Sequence, residues 1–154
     1  LWSLMPKFMC ASSNVSGELA AIKPKLAIAI SSWAYTCAKK NIPVEFNDYT
    51  AEWMHRDRDT VAEELTTLYN RFKAMGDDDL VVFMCDFGRE RSRTAASVFA
   101  DLFGQNTIER LYALEIKGIR QEVLRVSLAV DLEHLLTEAL SDRIKKDLKA
   151  SGYL

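Results

Sequence analysis

Cysteine is scarce in this chain, with three among 154 residues, at Cys10, Cys37 and Cys85. An odd, sparse set argues against a disulfide framework and for a reducing compartment, cytoplasmic or nuclear. Histidine is scarcer still. His55 and His134 stand far apart, and with the scattered cysteines they offer no metal-ligand spacing. No stretch rich in Pro, Gly or Ser divides the chain, and no low-complexity segment occurs. No apolar run approaches the roughly 18–20 residues that a membrane span needs. Leu1–Met5 is apolar but short and lacks a basic lead, so it does not read as a secretory signal. Lys and Arg total 20 against 22 Asp and Glu, a net charge of −2. No global basic field therefore draws in nucleic acid.

What is present is an ordinary globular balance, 49% hydrophobic and 27% charged, in a length that suits one domain and would cramp two. Short apolar runs at Lys25–Ser31, Val44–Phe46, Leu80–Met84 and Arg110–Leu114 predict strands. The run Leu80–Met84 is continuous, as expected of a strand buried on both faces. Val61, Leu65, Leu68, Tyr69, Phe72 and Met75 share one face of a helix over Thr60–Met75, with Asp59-Thr60 offering its N-cap and Gly76 its stop. A second helix is predicted over Ser92–Phe103, ended by Gly104. From Ile119 onward, Val123, Val126, Val130, Leu132, Leu135, Leu136, Leu140, Ile144 and Leu148 suggest one or two terminal helices with a core-facing stripe. Residues 1–14 read as a lead-in and 119–154 as a C-terminal helical extension of a single domain over 1–154. The triplets Phe8-Met9-Cys10 and Phe83-Met84-Cys85 echo each other, but no period surrounds them, so they do not mark a repeat. Strands alternating with helices predict an α/β domain with a mostly parallel sheet and helices on both faces. Ligands of such sheets sit at the carboxyl ends of strands, which directs attention to the loop after Leu80–Met84.

That loop is Cys85-Asp86-Phe87-Gly88-Arg89-Glu90-Arg91-Ser92. A cysteine ends a buried strand, five residues follow, and an arginine opens a helix. A loop of this length can turn backbone N–H groups toward a tetrahedral oxyanion, while the helix adds the positive end of its dipole. The same dipole and Arg91 favour thiolate over thiol at Cys85, making it a nucleophile. The planar fork of Arg91 suits two phosphate oxygens. Ser92 is placed to hydrogen-bond the thiolate or ease departure of phosphate from a cysteinyl intermediate. The bland reading of Cys85 is a buried, inert thiol at a strand end. Cys10 and Cys37 have no comparable setting.

The segment C-D-F-G-R-E-R resembles the active-site loop C-E-F-S-S-E-R of the cell-division-cycle 25 dual-specificity phosphatases, which use a rhodanese fold. Val15–Ile22 is similar to that fold's opening helix, Leu26–Ser31 to its central strand, Ser32–Phe46 to its E-Y-x-x-G-H-I-x-x-A stretch, Ala95–Phe103 to the helix after the loop, and Arg110–Gly118 to its closing strand and turn. The resemblance covers about Val15 to Arg125. It implies a single rhodanese-like domain, a cysteine-dependent protein phosphatase of tyrosine or dual specificity, and a cell-cycle setting. By it, Cys85, Arg91 and Glu90 would be catalytic, and Asp86, Phe87, Gly88, Arg89, Glu90, Arg91 and Ser92 would bind phosphate. No metal or organic cofactor is required; the partner is a phosphorylated protein, with neither nucleic acid nor membrane implied. The chain departs from the family at Ala29 and Ser31, where the I-D-x-R signature loses its acid and base, at Ile30, where a protective cysteine would fall, and at Met84, where a histidine usually precedes the nucleophile.

Rhodanese-class sulfurtransferases usually carry a six-residue loop, whereas the longer loop here fits phosphate or arsenate. A thiol-dependent arsenate reductase therefore stays open, as does a catalytically weak module that binds anions or phosphoproteins. A phosphatase also needs a proton donor for its leaving group. Asp86, Glu90 and Asp48 are the candidates, each with the alternative of a solvated loop carboxylate. Arg89 and Arg93 make the mouth of the loop locally basic, either to attract a phosphorylated protein or only to solvate the rim. His55, among Trp53, Arg56, Asp57 and Arg58, reads as a solvated lead-in to a helix, and His134 as structural or exposed.

Overall fold

The structure, a computed structural model, describes residues 5–48 and 58–153. His55 and its neighbours Trp53, Arg56 and Asp57 lie outside the described residues. In chain order the elements are β1 (Lys7–Ser12), a short 3-10 turn (Ser13–Val15), α1 (Ser16–Ile22), β2 (Leu26–Ala29), α2 (Ser32–Ala38) and β3 (Glu45–Phe46). They continue with α3 (Arg58–Lys73), β4 (Leu80–Cys85), α4 (Arg91–Leu102), β5 (Thr107–Ile116), β6 (Ile119–Ala129) and α5 (Leu135–Ala150). Six strands form one sheet in the order β3-β2-β4-β1-β5-β6. Every neighbouring pair is parallel except β5–β6. The chain is thus a single α/β domain with a mostly parallel sheet.

Period-two alternation in the central strands sorts side chains into two cores. Phe8 and Cys10 of β1 and Val81, Phe83 and Cys85 of β4 face one cluster, closed by α3, α4 and α5. Met9 and Ala11 of β1 and Val82 and Met84 of β4 face the other, closed by α1 and α2. A strand with a core on both sides needs an unbroken apolar run, which is what Leu80–Cys85 provides. On the larger side Phe99 of α4 packs against Phe8, Phe72 and Phe83, with ring centroids 6.2, 4.8 and 5.6 Å away. That aromatic contact seats α4, and so the residues at its N-terminus, over the end of β4.

Four expectations need correction. The expected lead-in over 1–14 contains a strand: β1 pairs with β4 on one side and β5 on the other, at the middle of the sheet. The echo of Phe-Met-Cys has a physical reason, since both triplets lie on adjacent parallel strands that bury both faces, offset by two residues so that Cys10 lies opposite Phe83. Leu26–Ser31 is not the central strand, because β2 lies between β3 and β4, one place from the edge. Residues 119–154 are not wholly helical. Lys117 and Gly118 both take positive φ, 54° and 75°, as a two-residue hairpin turn requires, and β6 runs back antiparallel to β5. The helix predicted over Thr60–Met75 is Arg58–Lys73, so Asp59 lies in its first turn rather than ahead of it.

Cys10 is wholly buried. Desolvation pushes its thiol up to about 12 from the ordinary 9.0, with Arg110 pulling weakly the other way. The native thiol therefore stays protonated where an unfolded chain's would ionise. Its contribution to stability is intact below pH 9 and is lost as pH rises toward about 12. Two results are expected: alkylation at pH 8.5 modifies half-buried Cys37 in the native protein while sparing Cys10, and Cys10→Ala flattens the alkaline fall in stability measured by urea unfolding between pH 9 and pH 11.

Candidate active site

The five parallel strands end along one edge of the sheet, and the loop from Asp86 to Glu90 crosses that edge between β4 and α4. Gly88 takes φ +62° and lies against the end of β1. A Cβ there would come within 2.7 Å of the Ala11 carbonyl carbon and the Ser12 nitrogen, both backbone atoms. Only glycine meets both demands, the left-handed conformation and the close approach.

Three successive carbonyls of the loop are held from outside. Asp86 O accepts from the Ser13 N–H at 3.2 Å and the Ser13 hydroxyl at 3.0 Å. Phe87 O accepts from Arg110 Nη2 at 3.2 Å, and Gly88 O from Arg110 Nε at 2.8 Å. In a trans peptide a carbonyl and the following N–H point in opposite directions. Anchoring these three carbonyls therefore turns the N–H groups of Phe87, Gly88 and Arg89 away from Ser13 and Arg110. Among the described residues, none of these three N–H groups donates to a protein acceptor. This leaves three donors free beside the N-terminus of a twelve-residue helix, the kind of setting in which proteins bind anions.

Cys85 sits at the base of this loop, 3% exposed. Its thiol donates to the Ser92 hydroxyl at 3.1 Å, and Ser92 is itself fully buried. If the sulfur ionises, the hydroxyl can rotate and donate to it instead. Asp86 is tied on two sides: Ser31 Oγ donates to Oδ1 at 2.6 Å, and Arg91 Nη2 lies 3.7 Å from Oδ2. Ser31 also accepts from the Ala34 N–H as the N-cap of α2. Asp86 thus links Ser31, at the head of α2, to Arg91. Arg91 remains 43% exposed by side chain, so this ion pair is solvent-screened and readily exchanged for a ligand.

The remaining candidates lie farther out. Glu90 is exposed in the N-cap position of α4 without capping it by side chain, and Arg89 and Phe87 are exposed, Phe87 at 73%. Asp48 follows β3, on the same sheet edge but two strands from β4, roughly 10 Å away across the ladder. His134 is exposed at the N-cap of α5. Among the described residues no cluster of His, Cys, Asp or Glu suits a metal ion, and no helix is long and apolar enough to cross a membrane.

Ser13 and Arg110 were not among the residues predicted from sequence. Arg110 carried a signal. It occupies the same strand face as buried Ile108, where an apolar residue is expected, and its guanidinium lies 3.9 Å from the Tyr112 ring centroid. Arg110→Met should weaken binding of phosphate or vanadate at the loop about tenfold, with Arg110→Lys giving little rescue, because one ammonium cannot serve two consecutive carbonyls. Dissociation constants for the three proteins check this.

Beside the loop a groove of about 770 Å³ opens between α4, β5, β6 and the start of α5. No protein-family model, curated protein or solved structure matches the chain, so this geometry is what any functional reading has to stand on.

Proposed function

We propose that this chain is a cysteine-dependent phosphatase acting on phosphotyrosine or phosphothreonine in proteins, allied to the cell-division-cycle 25 enzymes its loop resembles. The observation that carries the reading is the held loop: three anchored carbonyls, three unpaired N–H groups and the Cys85 sulfur at its base. In the proposed reaction the Cys85 thiolate attacks phosphorus, an S–P bond forms and the P–O bond to the leaving alkoxide or phenoxide breaks. Arg91 leaves Asp86 for two phosphoryl oxygens, and the loop amides hold the charge that develops there. Glu90 protonates the leaving oxygen. Water then cleaves the S–P bond, Ser92 stabilises the departing thiolate, and inorganic phosphate is released. Neither metal nor organic cofactor takes part. The three free thiols suit a reducing compartment, cytoplasm or nucleus.

Turnover of a generic aryl phosphate by wild type beside Cys85→Ser tests this reading. Activity present in the first and absent from the second supports it. Arsenate reduction with an external thiol, without aryl phosphate turnover, would replace it with a reductase on the same thiolate. Phosphopeptide binding without either activity would leave a binding module.

A further inference from the structure

The groove beside the loop is built differently from the loop itself. Its wall carries Arg89, Arg91, Arg93 and Arg110 against two carboxylates, Glu90 and Asp131. Arg110 is committed to the loop carbonyls and Arg91 to the reacting phosphate, which leaves Arg89 and Arg93. Arg93 is poorly satisfied by the protein. Its Nη2 reaches Ala129 O only at 3.4 Å, and its buried Nε has no acceptor among the described residues. Thr137, 1% exposed in the first turn of α5, lines the same groove, and its hydroxyl also lacks a partner there. A buried guanidinium N–H and a buried hydroxyl without partners are costly, and native proteins leave few of them. The groove's volume falls within the range of ligand sites and far exceeds one phosphate.

Resting on the phosphatase reading, we propose that this groove is a second anion subsite, selecting phosphopeptides that carry another acidic or phosphorylated side chain a few residues from the one dephosphorylated. Arg93 and Arg89 receive that second anion while Arg91 and the loop hold the first. The two carboxylates in the wall disfavour a continuous polyanion such as a polyphosphate or a nucleic acid strand, whereas a peptide spaces its charges. Leu128 and Leu136, also in the wall, give the intervening side chain an apolar surface.

The test uses the full chain as Cys85→Ser and three labelled phosphotyrosine peptides, identical except that one nearby residue is Ala, Glu or phosphoserine. Fluorescence anisotropy is expected to give about tenfold tighter binding for the Glu and phosphoserine peptides than for the Ala peptide. Adding Arg93→Gln should bring that ratio close to one. Arg89→Gln, at an exposed position, should reduce it severalfold and serves if Arg93→Gln fails to fold. Aryl phosphate turnover by the wild type is measured in parallel. Turnover with equal binding of all three peptides overturns the subsite and spares the phosphatase. A peptide preference without turnover keeps the subsite and overturns the phosphatase. No turnover and no preference overturns both. Stronger displacement by inorganic triphosphate or a short oligonucleotide than by the Glu peptide overturns the assignment to a protein partner.

Discussion

Cys85→Ser is expected to lower turnover of a phosphotyrosine peptide by roughly three orders of magnitude or more while leaving its binding nearly intact. The change replaces the proposed nucleophilic sulfur by a hydroxyl, yet touches none of the groups that hold the loop carbonyls. Ser13 and Arg110 still hold the carbonyls of Asp86, Phe87 and Gly88, so the following N–H groups keep their orientation. Arg91→Lys should instead damage binding and turnover together, since a single ammonium cannot reproduce a planar fork on two oxygens. Glu90→Gln should slow alkyl phosphates more than aryl phosphates with good leaving groups, because only the former need the proton. Equilibrium binding and steady-state kinetics on matched variants separate these patterns. Equal losses of binding in Cys85→Ser and Arg91→Lys would point to a collapsed loop.

Gly88→Ala is the second substitution with a large expected effect. The new methyl must lie within 2.7 Å of the β1 backbone at Ala11 and Ser12, at a φ of +62°. Neither obstacle is a flexible side chain, so the loop or the end of β1 has to move. A loss of about 2–4 kcal/mol in stability is expected, together with loss of phosphate binding. Gly104→Ala is the control. Its φ is +72°, but nothing lies within 4 Å of the added carbon. It should cost only the backbone term, about 1–2 kcal/mol, and retain turnover. Urea denaturation of both variants, with vanadate titration of each, checks the contrast.

The parts of the molecule that were legible in the sequence are those whose signals are local. The strand Leu80–Cys85, the loop and α4 follow one another in the chain, and each shows its own pattern of apolar run, polar turn and amphipathic helix. Helix α3 was legible for the same reason. Strand β1 was not, because a four-residue apolar run near the start of a chain looks like a tail until a partner strand is known. Its one clue was the shared Phe-Met-Cys triplet. Strand β6 was masked by valines whose spacing also fits a helix. The alternation that decides it is half-buried Leu124, Val126, Leu128 and Val130 against exposed Arg125, Ser127 and Ala129.

The site divides along the same line. Cys85, Arg91 and Ser92 are recognisable by spacing because the chemistry demands that spacing. Ser13 lies 73 residues before Asp86 and Arg110 lies 22 after Gly88, so only the sheet brings them to the loop. The role of Asp86 was also hidden. As a loop carboxylate it reads as an acid candidate, and only the fold shows its bond to Ser31 and its proximity to Arg91. Ser31 itself stood out as a lost arginine of the resembled family, whereas here it caps α2 and holds Asp86.

The claim at the centre of this account is that Cys85 forms a covalent bond to phosphorus within an amide cradle. Acid quench of the wild-type protein during steady-state turnover of an aryl phosphate, followed by peptide mass spectrometry, tests it most directly. A phosphate adduct is expected on the peptide containing Cys85, absent from Cys85→Ser and scarce in Gly88→Ala. Turnover with no adduct on that peptide, or with the adduct on any other residue, would contradict it.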